Sequence, residues 1–292
     1  MGIVVNTNIS SLMVQRSLSQ ATSGVSSSLE KLSTGFRINK AADDAAGLTI
    51  SESLKAQARG SQVAQANAQT GINLLQTAEG DLSVVMDNLQ RMRDLSVQAA
   101  NGTNGTSERA AIKAEVAQRA SEISRIANSS AFNQVKLLNG TSTTMSLQIG
   151  ANYTPGAVSL NSISIGSPLG NSTATSLGIN SGSKINGKTF LEDAFSSSAK
   201  VGSFIAKVDS AISAVTSRRS TIGSLQNRLD STIKSLSIRY ENMSASESRI
   251  RDVDVAKEAA SLTKSQILQQ AASSLLSQAN QAPKMALSLL GG

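Results

Sequence analysis

The chain has no histidine, no cysteine and no tryptophan, and aromatic side chains make up 2% of its 292 residues. Without His and Cys there can be no Cys/His zinc centre, no Ser-His-Asp or Cys-His nucleophile and no disulfide. Carboxylate-only chemistry or a Ser-Lys pair stays formally open, but no cleft-forming constellation of such residues stands out. The expectation is therefore a non-enzyme with no catalytic, cofactor-binding or metal site. Long apolar runs are lacking too. No stretch of about 18 apolar residues is present to span a bilayer. The opening Met1-Gly2-Ile3-Val4-Val5-Asn6 carries no basic segment followed by an apolar core, so neither membrane insertion nor a cleaved signal peptide is expected. Asn6 stands where myristoylation needs Ser or Thr. The net charge is +7, yet Lys and Arg are spread along helices, Arg218-Arg219 being the densest cluster. With few aromatics for base stacking, no nucleic-acid partner is expected.

What is present is heptad periodicity. Val208, Val215, Ile222, Leu229, Leu236 and Met243 fall seven apart. Three residues before each stand Ile205, Ile212, Arg219, Gln226, Ile233 and Tyr240, giving an a/d pattern in which Arg219 and Gln226 form polar layers that can fix register. The stretch would make a helix about 58 Å long. So narrow a stripe is stable only against other helices, and the pattern alone describes one helix of an antiparallel bundle. A second rod is written in Ile72 to Ala99, where Leu82, Val85, Leu89 and Met92 keep 3-4-3 spacing. Asn101-Gly102-Thr103-Asn104-Gly105 ends it, with Asn-Gly supplying the positive φ of a turn. Thr106 or Ser107 is expected to cap the next helix, whose buried stripe is Ile112, Val116, Ala120, Ile123 and Ile126.

The two ends of the chain are different in kind. Between Asn8 and Leu32 the apolar positions are Ile9, Leu12, Met13, Val25, Leu29 and Leu32, and Arg16 is the sole charge before Glu30. From Ser265 to Gly292 the sole charged side chain is Lys284, while Ile267, Ala271, Leu275 and Ala279 mark a helical stripe. A surface helix normally carries charge on its outer face. Ends that lack it imply either a pair buried within one molecule or an interface in an assembly, loose until tied down.

Gly35 interrupts the first helix, and Asn39 or Asp43 is expected to cap the second. The connector Leu32-Ser33-Thr34-Gly35-Phe36-Arg37-Ile38-Asn39-Lys40-Ala41-Ala42-Asp43-Asp44-Ala45-Ala46-Gly47-Leu48 resembles the signature of the bacterial flagellins, which polymerise into the flagellar filament. The resemblance continues through Asn67–Gly80 and Leu89–Thr103. It returns in Gln226-Asn227-Arg228-Leu229, in Ser248–Asp254 and in Leu275-Leu276-Ser277-Gln278-Ala279-Asn280. It covers about residues 1–150 and 200–292, in the family's order.

Residues 141–183 contain no Asp, Glu, Lys or Arg, are rich in Ser, Thr, Asn and Gly, and hold Pro155 and Pro168. Alternation in Met145–Ile149 and Leu160–Ile165 reads as short strands. Gln148-Ile149-Gly150-Ala151-Asn152 resembles the start of the family's small β portion, and so little chain follows that a large variable outer domain is expected to be missing. Asn152 and Asn171 head weak N-glycosylation triplets. By resemblance, Ser/Thr O-glycosylation is the better expectation.

The fold class expected is mainly α: a long helical-bundle rod with terminal coiled-coil helices and a small β-rich insertion at 141–190. The resemblance implies a filament-core domain of 1–40 with 253–292 and a rod domain of 41–252. The polymerisation core would comprise Ile9, Leu12, Leu29, Leu32, Ile267, Leu275 and Leu276. Rod packing would rest on Leu82, Val85, Leu89, Val208, Val215, Ile222, Leu229 and Leu236. The implied partner is the chain itself, as a helical homopolymer, and the implied location is the extracellular filament. The resemblance also implies the flagellar type III export apparatus, a C-terminal export chaperone, and the filament cap and hook-junction proteins. A host Toll-like receptor is expected to meet Arg91, Leu95, Gln98, Glu115 and Arg119. Arg91, Leu95 and Gln98 share one helical face, and Leu95, beside the seam rather than in it, is expected to be exposed. A hook–filament junction protein is the nearest alternative, and a monomeric secreted binding factor would need charged terminal helices. A zinc-peptidase variant of the family would need His ligands.

Overall fold

The computed structural model describes residues 7–141, 145–152, 161–165, 169–179 and 190–290. The helices are α1 (Ile9–Thr34), α2 (Ala45–Ala100), α3 (Thr106–Ser129), α4 (Phe190–Ala194), α5 (Ser198–Arg251) and α6 (Val255–Leu290). The strands are β1 (Ala131–Phe132), β2 (Val135–Lys136), β3 (Ser146–Gln148) and β4 (Ser162–Ser164), paired antiparallel as β1-β2 and β3-β4. The chain is mainly α, with long helices and a small β-containing insertion. It divides into two compact units, residues 1–56 with 242–292, and residues 57–241.

The 57–241 unit holds the large core. Leu75, Leu82, Leu89 and Met92 of α2, Val116 and Ile123 of α3, and Val208, Val215, Ile222 and Leu229 of α5 have no exposed surface. The file at 208, 215, 222 and 229 lies in this core, and Leu236 is buried as well. The second file of α5 is shifted by one residue from the expected one. Phe204, Ala211 and Leu225 are buried, whereas Ile205, Ile212 and Ile233 are partly covered and Tyr240 is exposed. The cause is a neighbour that a two-helix pattern does not contain. Phe204 stacks at a tilt on Phe195, ring centroids 5.4 Å apart, and Arg218 Nη1 donates to the Asn171 carbonyl at 2.7 Å and to Ser172 Oγ. The irregular chain around 171 and 195 thus covers this side of α5 at Phe204 and Arg218. Burial among these neutral acceptors pushes the Arg218 pKa below its ordinary value.

The polar layers Arg219 and Gln226 both meet Glu79 of α2. Arg219 Nη2 lies 3.6 Å from Glu79 Oε1, and Gln226 Nε2 donates to Oε2 at 3.4 Å. One carboxylate thus answers two successive polar layers, which is how such layers specify register. Arg93 of α2 pairs with Asp209 of α5 at 2.7 Å.

Three local expectations are corrected. Gly105, not Thr106 or Ser107, is the N-cap of α3, in extended backbone and without a side-chain bond. The 101–105 turn contains no residue of positive φ; it closes through Asn101 N–H to the Gln98 carbonyl and Asn104 N–H to the Asn101 carbonyl. The cap of α2 is Asp44, whose Oδ1 accepts from Gly47 N–H at 2.8 Å. Asp43 instead ties the preceding turn, Oδ2 accepting from the Asn39 and Lys40 amides at 3.0 Å each. These two bonds hold its carboxyl pKa below the usual range.

β3 and β4 pair Ser146 with Ser164, Leu147 with Ile163 and Gln148 with Ser162, as the alternation suggests; Leu160, Pro155 and Pro168 lie outside the described residues. The β1-β2 hairpin has no sequence forecast. It turns on Asn133 and Gln134 at φ 46° and 68°, and lacks the glycine that usually announces such a turn.

In the other unit, Gly35 takes φ 75° and closes α1 through its N–H to the Lys31 carbonyl. Phe36 and Asp252 form an antiparallel bridge, with Arg37 N–H donating to the Arg251 carbonyl at 2.6 Å and Val253 N–H to the Gly35 carbonyl at 3.0 Å. The Arg251 guanidinium sits 4.6 Å from the Phe36 ring centre and 2.5 Å from Glu52 Oε1.

Candidate assembly face

Both chain ends are helical, and α1 lies along α6. The positions most deeply covered at their seam are small. Ala21, Ser28 and Ala272 are the buried residues of the two helices whose side chains are described. Gly24 lets the helices approach: a Cβ there would stand 3.0 Å from Ser265 Oγ. Polar groups bridge along the seam. Asn8 Nδ2 donates to the Ala279 carbonyl at 2.9 Å, Ser11 Oγ to Asn280 Oδ1 at 2.8 Å, Gln269 Nε2 to Thr22 Oγ1 at 3.1 Å and Ser28 Oγ to Glu258 Oε1 at 2.6 Å. Asn8 also caps α1, its Oδ1 accepting from Ser11 N–H.

Val14, Leu18, Val25 and Leu262 are half-buried beside this seam, while other large apolar side chains stay in solvent. Ile9, Leu12, Met13, Leu29, Ile267, Leu268 and Leu275 are 50% to 63% exposed, while Leu32 and Leu276 are half-buried. A groove of about 580 Å³ runs beside the seam, lined by Met13, Val14, Leu268 and Leu275 and also by Ser17, Gln20, Ser261, Ser265 and Lys264. The opposite groove is lined by Leu18, Gln269, Gln270, Ser273, Ser274 and Ser277. The first groove is therefore the more apolar of the two, and the second is mostly polar and uncharged. Water solvates such an apolar face poorly. Covering each large side chain is worth about 1.5–3 kcal/mol gross, before the cost of ordering the chain. Leu268, part of this groove, lies outside the 267/271/275 spacing read from the sequence.

On α2 and α3, Arg91 Nε donates to Glu115 Oε1 at 3.1 Å, Arg119 Nη2 lies 3.7 Å from the same oxygen, and Arg119 Nη1 donates to Asn88 Oδ1 at 3.3 Å. Gln98 is exposed. Leu95 is not: it retains 3% of its surface, against the expectation of an exposed side chain. Ion pairs link α2 both to α3, at Glu115, and to α5, at Asp209. The covered arc of α2 is thus wider than a single seam and takes in Leu95. Asn171, head of a glycosylation triplet, turns its Oδ1 inward to Thr173 N–H at 3.0 Å; the triplet begun by Asn152 runs outside the described residues.

Among the described residues no cluster of three His, Cys, Asp or Glu side chains could hold a metal ion, and no helix is long and apolar enough to cross a membrane.

Comparison with known proteins bears on this face. The bacterial flagellin N-terminal helical region matches residues 5–143, and the bacterial flagellin C-terminal helical region matches residues 205–290. The flagellin of Halalkalibacterium halodurans is 41% identical over 288 residues, spanning 99% of this chain and 100% of that one. The flagellar filament 33 kDa core protein of Treponema phagedenis is 38% identical over 298 residues, again 99% and 100%. Flagellin D of Vibrio anguillarum is 39% identical over an alignment of 377 residues that spans all of both chains, so it needs more positions than the 292 residues present here.

Proposed function

Because this chain belongs to the bacterial flagellin family, as a short form without a large outer domain and a structural subunit of the flagellar filament, we propose that the α1–α6 pair forms the filament's core. Residues 1–40 with 253–292 would be the core domain and residues 41–252 the rod around it. The observation that supports this is the apolar surface the pair leaves in solvent: Ile9, Leu12, Leu29, Ile267 and Leu275 are each at least half exposed. Copies of the same pair, stacked by helical symmetry, cover those side chains, with Leu32 and Leu276 at the edge of the contact. A heterologous contact of this kind does not close and so yields a filament, and burial available only in the polymer ties ordering of the ends to assembly.

The test is seeded growth followed by negative-stain electron microscopy. The purified chain extends filament fragments into long uniform tubes, whereas Leu275→Asp leaves the seeds unextended and the 57–241 unit folded. Tubes of ordinary length from Leu275→Asp would refute the assignment.

We further propose that the subunit lies outside the cell, exported by the flagellar type III apparatus. A chaperone would cover the apolar C-terminal helix before export, and the cap and hook-junction proteins would flank the filament. Recognition by a host Toll-like receptor is assigned to the Arg91–Glu115–Arg119 network with Gln98. Leu95 serves that face from below, as a packing residue. Receptor signalling by monomeric Arg91→Ala/Glu115→Ala is expected to fall while filaments still form; unchanged signalling would discard the assignment.

A further inference from the structure

Asn-Gly is the dipeptide most prone to losing side-chain ammonia, because glycine has no Cβ to hold its backbone nitrogen away from the preceding side-chain carbonyl carbon. The described residues contain three such pairs, Asn101-Gly102, Asn104-Gly105 and Asn139-Gly140, held in different ways. Asn139 Oδ1 accepts from Thr141 N–H at 3.1 Å and Thr141 Oγ1 at 2.6 Å. Its backbone bridges to Asn171, and Gly140, at φ 84°, is pressed against the Asn171 side chain. Asn104 Nδ2 donates to the Gln98 carbonyl at 2.5 Å, and its own carbonyl takes the Arg109 guanidinium at 2.5 Å. Asn101 is exposed. Its side chain has one long contact, Oδ1 accepting from Thr103 N–H at 3.4 Å. No hydrogen bond takes its Nδ2 or the Gly102 N–H, and nothing stands within 4 Å of a Cβ built on Gly102.

We infer that Asn101 is a self-modifying site of the folded chain. The Gly102 nitrogen, on giving its proton to solvent base, attacks Asn101 Cγ. A Cγ–N bond forms, the Cγ–Nδ2 bond breaks, and Nδ2 takes up a proton and leaves as ammonia. Water then opens the five-membered imide at one of its two carbonyls. One opening gives aspartate; the other gives isoaspartate, which carries the side-chain methylene in the main chain. Water is the sole co-reactant, and no electrons are transferred. Either product places a carboxylate just beyond the last turn of α2, where the helix end is already negative. Isoaspartate also lengthens the turn that the Asn104 N–H to Asn101 carbonyl bond closes. A subunit built into a filament would carry this change for as long as the filament lasts.

The experiment incubates the intact native chain in mildly alkaline buffer and follows each Asn-Gly peptide by digestion and mass spectrometry, with the denatured chain in parallel. In denaturant the three pairs react at comparable rates. In the native chain Asn101 is expected to convert at least about tenfold faster than Asn104 or Asn139, whose local structure must open first. Gly102→Ala, which places a methyl in open solvent, should slow conversion at 101 alone. Equal native rates at the three sites overturn the inference. So does an unmodified Asn101 over a period that converts the denatured chain.

Discussion

The two units bury different things. In the 57–241 unit, leucines, isoleucines and methionines meet inside and ion pairs such as Arg93–Asp209 and Arg125–Glu122 lie outside. In the terminal pair the buried positions among the described residues are alanine and serine, Val14, Leu18, Val25 and Leu262 are only half-buried, and Ile9, Leu12, Met13, Leu29, Ile267, Leu268 and Leu275 lie in solvent. Both are heptad-spaced helices, so periodicity does not separate them; side-chain size at the seam does. A seam of small residues brings helices close but removes little apolar area from water, and area sets the stabilisation. The terminal pair thus leaves a larger share of its big apolar side chains in water than the 57–241 unit does.

That contrast can be broken from either side. The largest effect is expected from Met13→Glu with Leu268→Glu. The pair should abolish seeded growth while the thermal unfolding of the 57–241 core, followed by circular dichroism, stays within about 0.5 kcal/mol of the parent. Loss of the core transition would show that the face belongs to the monomer. Next, Leu89→Ala should cost about 2–5 kcal/mol in denaturant titration of the monomer, whereas Leu12→Ala in the same assay should cost close to nothing. Smaller again is Asn8→Ala, which removes the α1 cap and should lower the helix signal of the terminal pair by about 1 kcal/mol of stability, leaving core melting unmoved. The smallest effect concerns pH. The Asp43 carboxyl is held low by the Asn39 and Lys40 amides, so its contribution is fully present above the ordinary carboxylate pKa. It is lost as the pH falls through the lowered folded value. Asp43→Asn should flatten that acid limb slightly, visible in hydrogen exchange of the Asn39 and Lys40 amides.

Much of the bundle was legible because burial repeats. Val208, Val215, Ile222, Leu229 and Leu236 declare themselves at seven-residue spacing, and Ile112, Val116, Ala120, Ile123 and Ile126 do the same on α3. The errors fall where a helix has more than one neighbour. Phe204, Ala211 and Leu225 are buried more fully than Ile205, Ile212 and Ile233, and irregular chain at 171–172 and Phe195 meets α5 on that side at Phe204 and Arg218. Leu95 is covered because α2 serves both α3 and α5. Caps slipped by one or a few residues because Asp43 and Asp44 are chemically alike, and backbone geometry alone decides which carboxylate reaches Gly47 N–H. The hairpin at Asn133-Gln134 was invisible because its left-handed residues are not glycine. At the ends, the absence of charge pointed to a covered surface. Across α1–α6 the covered side of α1 takes Val14, Leu18, Val25 and Leu32 around Ala21 and Ser28, whereas Ile9, Leu12, Met13 and Leu29, equally apolar in the sequence, are exposed.

The bridge between Phe36 and Asp252 has a mechanical side. The chain leaves α1 and enters α6 through this one cross-section, where Arg37 N–H and Val253 N–H tie the two passing backbones together. A pull applied to the α1–α6 pair therefore loads two covalent strands in parallel, and the bonds between them come under shear when one strand is pulled more than the other. Backbone bonds sheared together must fail together, so the join resists as a single tendon rather than as two loose tethers.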